Sequence, residues 1–201
     1  DISTDAAAVI YGEGSADYCG ISADAGDLTD DGEDDIFVGC YGYDGSSDNL
    51  GLAAVFEGGG ALSGSVAVSD ADYLLTGDGR NDLLGWQGSE VAGDLDGDGY
   101  RDLALGAYQM DGGSVGTVGV ALLVSGDDLS SGTASAASFA RLEGNNNGDR
   151  FSYDVVGVPD VDGDGKDELF AAAYREDSGG GATQAGVVYF WYGASMSGTM
   201  T

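Results

Sequence analysis

Acidic residues at alternate positions, followed directly by an apolar run, are the feature of this sequence most able to do chemistry. The clearest example is the stretch GDLDGDGYRDLALGA, residues 93–107. A hard dication such as Ca²⁺ takes six to eight oxygen ligands at about 2.3–2.6 Å, and a tight loop supplies them from alternate residues. Numbered from its first aspartate, the stretch offers carboxylates at positions 1, 3, 5 and 9 and a backbone carbonyl at position 7. It therefore predicts a calcium-binding loop.

The same spacing occurs in three segments of the chain, each with glycine at position 6 (Gly32, Gly99 and Gly165). Glycine there permits the sharp bend of such a loop. Up to three Ca²⁺ ions are therefore expected, one in each loop. The predicted ligands are Asp27, Thr29, Asp31, the carbonyl of Glu33 and Asp35 in the first loop, Asp94, Asp96, Asp98, the carbonyl of Tyr100 and Asp102 in the second, and Asp160, Asp162, Asp164, the carbonyl of Lys166 and Glu168 in the third.

An acidic, well-solvated turn is the alternative interpretation of these loops. Without a cation, carboxylates a few ångströms apart repel one another by roughly 1 kcal/mol or more per close pair, and a solvated turn has no need of this register. Calcium is favoured over magnesium because Mg²⁺ rarely occupies a dedicated all-protein cage. The first loop is the least regular, since Thr29 offers only a neutral hydroxyl. Asp30, Asp34 and Asp167 fall out of register and are expected to face water.

The charge of the chain limits its partners. Its 201 residues include 36 acidic and 6 basic side chains, a formal net charge of −30, and no histidine. Nucleic acids and anionic membranes need Lys and Arg to neutralise phosphate, so neither is expected as a partner. Bound cations, a surface adapted to high salt, or both account for the acidity. The lack of histidine excludes Ser-His-Asp and Cys-His catalysis within this chain, and no apolar run is long enough to insert across a bilayer.

The loops belong to a longer repeat. Their first aspartates, Asp27, Asp94 and Asp160, are 67 and 66 residues apart. Each unit holds four short strand-like runs bounded by Gly, Asp, Asn or Ser, with the acidic loop between the second and third runs. Four antiparallel strands at a fixed period predict an all-β fold of β-propeller blades, one four-stranded sheet per unit, whereas a β-solenoid or a string of hairpins is the alternative. The predicted units are 1–65, 66–132 and 133–201.

These features resemble FG-GAP repeats, the units of the integrin α-subunit β-propeller. The likeness is carried by the acidic loop followed by LALGAY, the LLG ahead of it and the closing ALLVSG, and it extends over all three units. The name-giving motifs are degenerate, since Leu84-Gly85 and Phe151-Ser152 stand at the Phe-Gly position. The resemblance implies a bladed propeller with calcium in hairpin loops on one face. It implies extracellular adhesion or recognition and no reaction.

Three blades do not close a propeller ring, which takes four to eight. The chain is therefore expected to be a stretch of a longer protein, or to complete a ring or a fibre with copies of itself through head-to-tail contacts. It begins at Asp1 without a signal-like segment, as a mature or excised product does. A protein or glycan surface outside the cell is the other expected partner.

No residue stands out as catalytic. An enzyme without histidine has to use Asp or Glu, and the acidic residues of this chain mostly follow the repeat, which a catalytic residue is expected to break. We therefore predict a non-catalytic module that is secreted or at the cell surface. Two alternatives stay open: an accessory propeller of a secreted hydrolase, and a salt-adapted surface-layer or fibre subunit whose folding depends on molar salt instead of calcium.

The two cysteines, Cys19 and Cys40, fall at repeat positions that hold apolar residues elsewhere. This favours two core positions filled by a small hydrophobic side chain over a disulfide, although a secreted protein permits one. The corresponding residues in the other units are Leu84 and Phe151 for Cys19, and Ala107 and Ala173 for Cys40.

Overall fold

The structure, a computed structural model, describes residues 5–112, 116–178 and 180–201. Short strands dominate its regular structure, and none of the helices in these ranges is long and apolar enough to cross a membrane. In chain order the strands are β1 (Ala8–Tyr11), β2 (Cys19–Gly26), β3 (Asp35–Cys40), β4 (Leu52–Phe56), β5 (Gly64–Ala67), β6 (Tyr73–Thr76), β7 (Glu90–Gly93), β8 (Asp102–Ala107), β9 (Asp111–Gly112), β10 (Gly116–Thr117), β11 (Val120–Val124), β12 (Gly132–Thr133), β13 (Ser138–Glu143), β14 (Asp154–Val158), β15 (Glu168–Ala173), β16 (Val187–Trp191) and β17 (Gly198–Met200). A short helix, α1 (Ala134–Ala137), and 3-10 turns at Val68–Asp70 and Gly193–Ser195 accompany them.

Three main sheets follow one another along the chain, and we call them the first, second and third blade. The first is β2–β3–β4–β6 and the second is β7–β8–β11–β13, each antiparallel, and a short parallel strand, β12 or β17, extends the outer edge. The third has three antiparallel strands, β14–β15–β16. Two short pairs, β1 with β5 and β9 with β10, lie outside these sheets. The predicted all-β architecture of propeller blades is confirmed.

The sheets are offset from the predicted units by one strand. Strand β6, expected to open the second unit, pairs with β4 of the first blade, and β13 pairs with β11 of the second. A unit's own four strands therefore do not form one sheet, and the acidic loop joins the first and second strands of a blade. The period is the same in either frame, so the spacing of the repeat carries no information about which strand closes a sheet.

The core lies between the blades. Strands β4 and β11, the third strands of the first and second blades, are buried throughout. They consist of unbroken apolar runs, as strands buried on both faces do. One cluster, which includes Phe37 and Leu103, fills the space between the first and second blades. Another, which includes Leu123 and Leu169, fills the space between the second and third. We call the face of a blade that meets the next blade in the chain its back, and the opposite face its front.

Cys19 and Cys40 are joined in a disulfide, so the preference for two unpaired core cysteines was wrong. They are register partners on the neighbouring strands β2 and β3, which brings their side chains together. The predicted burial holds for Cys40, which is fully buried on the front of the first blade. At the same two positions of the other units, Leu84 and Ala107 belong to one core cluster and Phe151 and Ala173 to another, whereas Cys19 and Cys40 are joined covalently.

Replacing both cysteines with alanine is expected to lower the free energy of unfolding by about 3 kcal/mol, because the bridge closes a loop between residues 21 apart in the unfolded chain. Urea denaturation of Cys19→Ala/Cys40→Ala and of the wild type, both in calcium, measures the difference. Wild-type protein treated with reductant is the control and should unfold at the lower urea concentration too. An unchanged midpoint would show that the bridge does not constrain the unfolded chain.

A row of aromatic rings crosses all three blades at the end of the second strand, opposite the acidic loops. The recurring tyrosines of the sequence, Tyr41, Tyr108 and Tyr174, each follow such a strand, and their packing links one blade to the next. Four of the five centroid distances lie within about 4.5–7 Å, the range of favourable aromatic pairs, and the Tyr153–Tyr174 distance lies just below it. The distances are 4.9 Å for Tyr18–Tyr41, 4.5 Å for Tyr41–Trp86, 4.7 Å for Trp86–Tyr108, 5.5 Å for Tyr108–Tyr153 and 4.4 Å for Tyr153–Tyr174.

Candidate metal centres

Each acidic loop forms the end of a hairpin. The loops connect β2 to β3, β7 to β8 and β14 to β15, the first two strands of each blade. The residue predicted at position 9 (Asp35, Asp102 or Glu168) is the first residue of the second strand, and it is fully buried in all three blades. The sheet therefore fixes the closing carboxylate, and the exposed loop folds back over it.

Backbone amides hold the first carboxylate of each loop. In the second loop Asp94 accepts hydrogen bonds from the N–H groups of Gly97 and Gly99, at 2.6 and 3.0 Å. In the third loop Asp160 accepts from the corresponding glycines at the same distances. These bonds lower the pKa of Asp160, because they stabilise the ionised carboxylate. The loop is thus arranged around charged acids.

Two positive backbone angles give the loop its tight path. In the second loop Gly97 and Gly99 have φ of 82° and 99°, values that glycine adopts at little cost. The third loop repeats both at Gly163 and Gly165, with φ of 83° and 89°. In the first loop position 6 is Gly32, but position 4 is Asp30 with φ of 53°. The first loop therefore has the same backbone path as the others, but at position 4 it has Asp30, which adopts a positive φ less readily than glycine.

The closing carboxylates of the second and third loops are only half satisfied. Asp102 Oδ2 accepts from the N–H of Leu95 at 2.7 Å, and Glu168 Oε2 accepts from the N–H of Val161 at 2.9 Å. The other oxygens, Asp102 Oδ1 and Glu168 Oε1, are buried without a hydrogen-bond partner. A buried, unpaired carboxylate oxygen is costly, and a bound cation removes that cost.

Three carboxylates converge in each of these two loops. Asp94, Asp96 and Asp102 place one oxygen each within 4.8 Å of the others in the second loop, and Asp160, Asp162 and Glu168 do so in the third. Oxygens that share a Ca²⁺ ion at about 2.3–2.6 Å can be no more than about 5 Å apart, so both groups fit the ion. The ligand type, oxygen only, is the type that a hard dication prefers.

The electrostatics of the second loop also fit a cation. Burial, with repulsion from Asp96 and Asp98, raises the pKa of Asp102 to about 7, against the lowering effect of the Leu95 N–H. Because the folded chain then binds a proton more tightly than the unfolded chain, the metal-free fold loses stability as the pH rises from 3.8 to about 7. A positive ion in the loop opposes this loss.

Residues 87–121 and 151–191 match the family model described as the FG-GAP repeat. These segments contain the second and third loops together with the strands on either side of them. The chain contains FG-GAP repeats. The two matched FG-GAP repeats are thus the same two parts of the chain in which three carboxylates converge.

Proteins with similar sequences are integrin α subunits. The chain is 37% identical to integrin alpha-5 from Xenopus laevis over 103 residues, which is 48% of this chain and 9% of that protein. It is 34% identical to integrin alpha-IIb over 169 residues in both Mus musculus and Homo sapiens, which is 82% of this chain and 16% of either protein. The FG-GAP chain therefore spans less than a fifth of the length of these relatives.

The first loop lies outside the matched FG-GAP segments and differs at its closing residue. Asp35 Oδ2 accepts from the N–H of Leu28 at 2.8 Å, as in the other loops, but Oδ1 accepts from the N–H of Gly58 at 2.7 Å. Both oxygens of Asp35 are therefore satisfied, and only Thr29 Oγ1 is buried without a partner. Within the described ranges, the first loop does not bring three carboxylates together as the other two do.

Other predicted ligands stand outside the converging groups of the FG-GAP loops. Asp98 and Asp164, at position 5, use Oδ1 to accept from the N–H of position 7 at 2.8 and 2.9 Å. Asp98 Oδ2 also accepts from Ser125 Oγ at 3.0 Å. A Ca²⁺ ion that uses these carboxylates has to draw them inward.

Contacts between neighbouring FG-GAP loops were missed by the sequence analysis. Asp167, expected to face water, accepts from the N–H of Asp94 at 3.0 Å, and its own N–H donates to the Asp94 carbonyl at 2.7 Å. The Lys166 amino group donates to the carbonyl of Asp96. These residues of the third loop thus contact the second loop, and the expectation for Asp167 was wrong. Asp30 and Asp34 are exposed as expected.

Proposed function

We propose that the FG-GAP loops of the second and third blades each bind one Ca²⁺ ion, and that the chain is a non-catalytic recognition or adhesion module that works outside the cell. One observation carries the calcium assignment. In both loops a buried closing carboxylate, Asp102 or Glu168, has one oxygen without a partner and converges with two further acids. A dication satisfies that oxygen and neutralises the group.

The residues that would hold the ions are those of the predicted register. Asp94, Asp96 and Asp102 supply the second site, with Asp98 and the carbonyl of Tyr100 completing it. The third site has the same positions, from Asp160 to Glu168, with the carbonyl of Lys166. The first loop, Asp27 to Asp35, is proposed as a weaker site, because Asp35 is already satisfied and Thr29 and the carbonyl of Glu33 are neutral. The bound ion supplies charge neutralisation and holds the hairpin closed.

The recognition role rests on the family and on the pattern of acids. The acidic residues that converge follow the repeat, and the chain has no histidine. Both observations favour a role that is not catalytic. The similarity to integrin α subunits and the disulfide support a place outside the cell. Calcium-dependent retention on immobilised glycans or matrix proteins, and release by chelator, tests this role.

Calorimetric titration of metal-free protein with Ca²⁺ is expected to show two well-defined sites and a weaker third. Asp102→Asn and Glu168→Gln should each remove one of the two, because each variant replaces the only fully buried carboxylate of its converging group. Extracellular calcium modules bind at about 10⁻⁴–10⁻³ M, so protein concentrations near 10⁻⁴ M are needed.

Asp34→Asn is the matched control, since Asp34 is an exposed acid of the first loop outside the register. It removes the same charge and should leave the number of sites unchanged. If all three variants bind as the wild type does, or if the wild type gives no heat beyond dilution, the loops are solvated turns and the calcium assignment fails.

A further inference from the structure

The third blade has no outer strand. In the first blade β4 pairs on its outer side with β6, and in the second β11 pairs with β13. In the third blade β16 is the edge of the sheet, and within the described ranges nothing pairs with its outer side. After β16 the chain returns to the second blade, where β17 pairs with β13. The backbone edge of β16 is therefore open to another strand.

The back of the third blade exposes apolar side chains at positions that are buried in the other blades. Val161, Phe170 and Val188 are 62%, 38% and 66% exposed. The residues at the equivalent repeat positions of the first two blades are fully buried, because the next blade covers the backs of those blades. These counterparts are Leu28 and Leu95 for Val161, Phe37 and Ala104 for Phe170, and Ala53 and Ala121 for Val188.

Strand β1 resembles the outer strand of a blade, but among the described residues no inner strands of a blade pair with it; its partner is β5. Ile10 lies two residues before Gly12, as Leu75 lies before Gly77 in β6. A carboxylate five residues after each glycine caps the following turn, with Asp17 accepting from Gly14 at 2.6 Å. The equivalent bond from Gly79 to Asp82 is 2.7 Å long. The N-terminal segment thus has the structure that follows an outer strand in the complete blades.

The place of the missing inner strands is a cavity in front of the first blade. Strand β1 is held there by its parallel pairing with β5, as β6 is held by β12. Between β1 and the sheet lies a cavity of ≈ 600 Å³, whose lining includes Ile10, Cys19, Ile36 and Val38. The counterpart of Ile36 in the second blade, Leu103, is fully buried against the first blade. The front of the first blade is therefore open along β2 and β3, where the back of another blade can pack, whereas Leu52, Ala54 and Phe56 of β4 are already buried there.

We propose that the third blade of one copy of this chain docks in front of the first blade of a second copy, with β1 of the second copy becoming the fourth strand of the docked blade. Within the chain, the back of one blade packs against the front of the next at two junctions. The back of the third blade and the front of the first are the two halves of one more such junction, so a second copy of the chain fits them. The register follows from β4 and β6, where Ala53 is opposite Leu75. Val188 is thus opposite Ile10 of the second copy, and Val187 is opposite Tyr11.

This contact is independent of the calcium assignment, because it depends on strand pairing and apolar packing. If two copies make this contact at both of their ends, they form a closed ring of six blades, which is within the range of known propellers. If each copy instead contacts a different copy at each end, the result is an open chain of blades. The net charge of −30 per copy opposes association. Association should therefore become stronger as added salt screens the repulsion.

Sedimentation velocity of the 201-residue chain in calcium and at raised salt is expected to show concentration-dependent association. Ile10→Asp blocks the front surface and Val188→Asp blocks the back, because either places an unpaired charge in the apolar junction. Each variant alone should be monomeric, with association weakened about a hundredfold or more. Mixed together, they retain one intact front and one intact back, so they should form a dimer of one copy of each.

Asn147→Asp adds the same charge at an exposed site away from both surfaces, and it should associate as the wild type does. Circular dichroism of each variant shows whether it has folded, and recovery of association on mixing shows it independently. A wild type that stays monomeric at 10⁻⁴ M, or variants that associate alone, would overturn the proposal. A mixture of folded variants that stays monomeric would do so as well.

Discussion

Calcium is expected to raise the thermal midpoint of the metal-free protein by about 10–20 °C at a concentration 100 times the dissociation constant. At that concentration each site contributes about 2.7 kcal/mol, so the second and third loops together contribute about 5 kcal/mol. For a chain of this length, each kcal/mol corresponds to about 2–4 °C. The physical cause is local: ions pair the free oxygens of Asp102 and Glu168 and cancel repulsion among converging carboxylates. Differential scanning calorimetry in 10 mM calcium and in chelator, at equal ionic strength, measures the shift.

The double variant Asp102→Asn/Glu168→Gln separates calcium binding from general screening of charge. It should lose the response to calcium while unfolding in chelator at a temperature no lower than that of the wild type, because neutral amides replace buried, half-satisfied carboxylates. Magnesium at the same concentration should give a smaller shift than calcium. A wild type stabilised equally by calcium, magnesium and sodium at matched ionic strength would favour the salt-adapted alternative.

The loops were predictable from sequence because their chemistry is local. A calcium loop needs carboxylates at alternate positions and a glycine at its bend, whatever the rest of the chain does. The structure places these positions in three hairpins, of which the first has Thr29 at position 3. The all-β fold follows from short apolar runs at a fixed period. The equivalence of Cys19 with Leu84 was correct for the same reason, since the repeat assigns each position to a place in the sheet.

Pairing between distant segments was not predictable in this way. A periodic sequence gives the same period in every frame, so nothing local shows that β6 completes the first blade instead of opening the second. The cysteine bond depends on which residues of β2 and β3 are opposite each other. Asp167 accepts a hydrogen bond from the N–H of Asp94, 73 residues away. The second oxygen of Asp35 accepts one from the N–H of Gly58, 23 residues away. Such contacts exist only once the blades are packed.

Phe37→Ala and Phe170→Ala are expected to differ in cost by about 2–4 kcal/mol, although the two residues occupy the same repeat position. Phe37 is fully buried between the first and second blades, whereas Phe170 is 38% exposed on the back of the third. Removing a buried phenylalanine costs about 3–5 kcal/mol through lost burial and the cavity left behind. For Phe170, whose ring lies against that of Phe190 at 4.7 Å between centroids, about 1 kcal/mol or less is expected. Urea denaturation of both variants at low protein concentration measures the difference.

Comparing Phe37→Ala and Phe170→Ala at low and at high protein concentration also tests what covers the back of the third blade. In dilute protein Phe170 has no blade against it, so its loss is tolerated. At concentrations where copies associate, the proposed contact buries Phe170 as Phe37 is buried, and Phe170→Ala should then weaken association while leaving the unfolding of the monomer nearly unchanged. Phe37→Ala should show the reverse, a destabilised monomer at every concentration. Equal destabilisation of the dilute monomer by both variants would mean that Phe170 is already covered within one chain, and the back of the third blade would then not be a free surface.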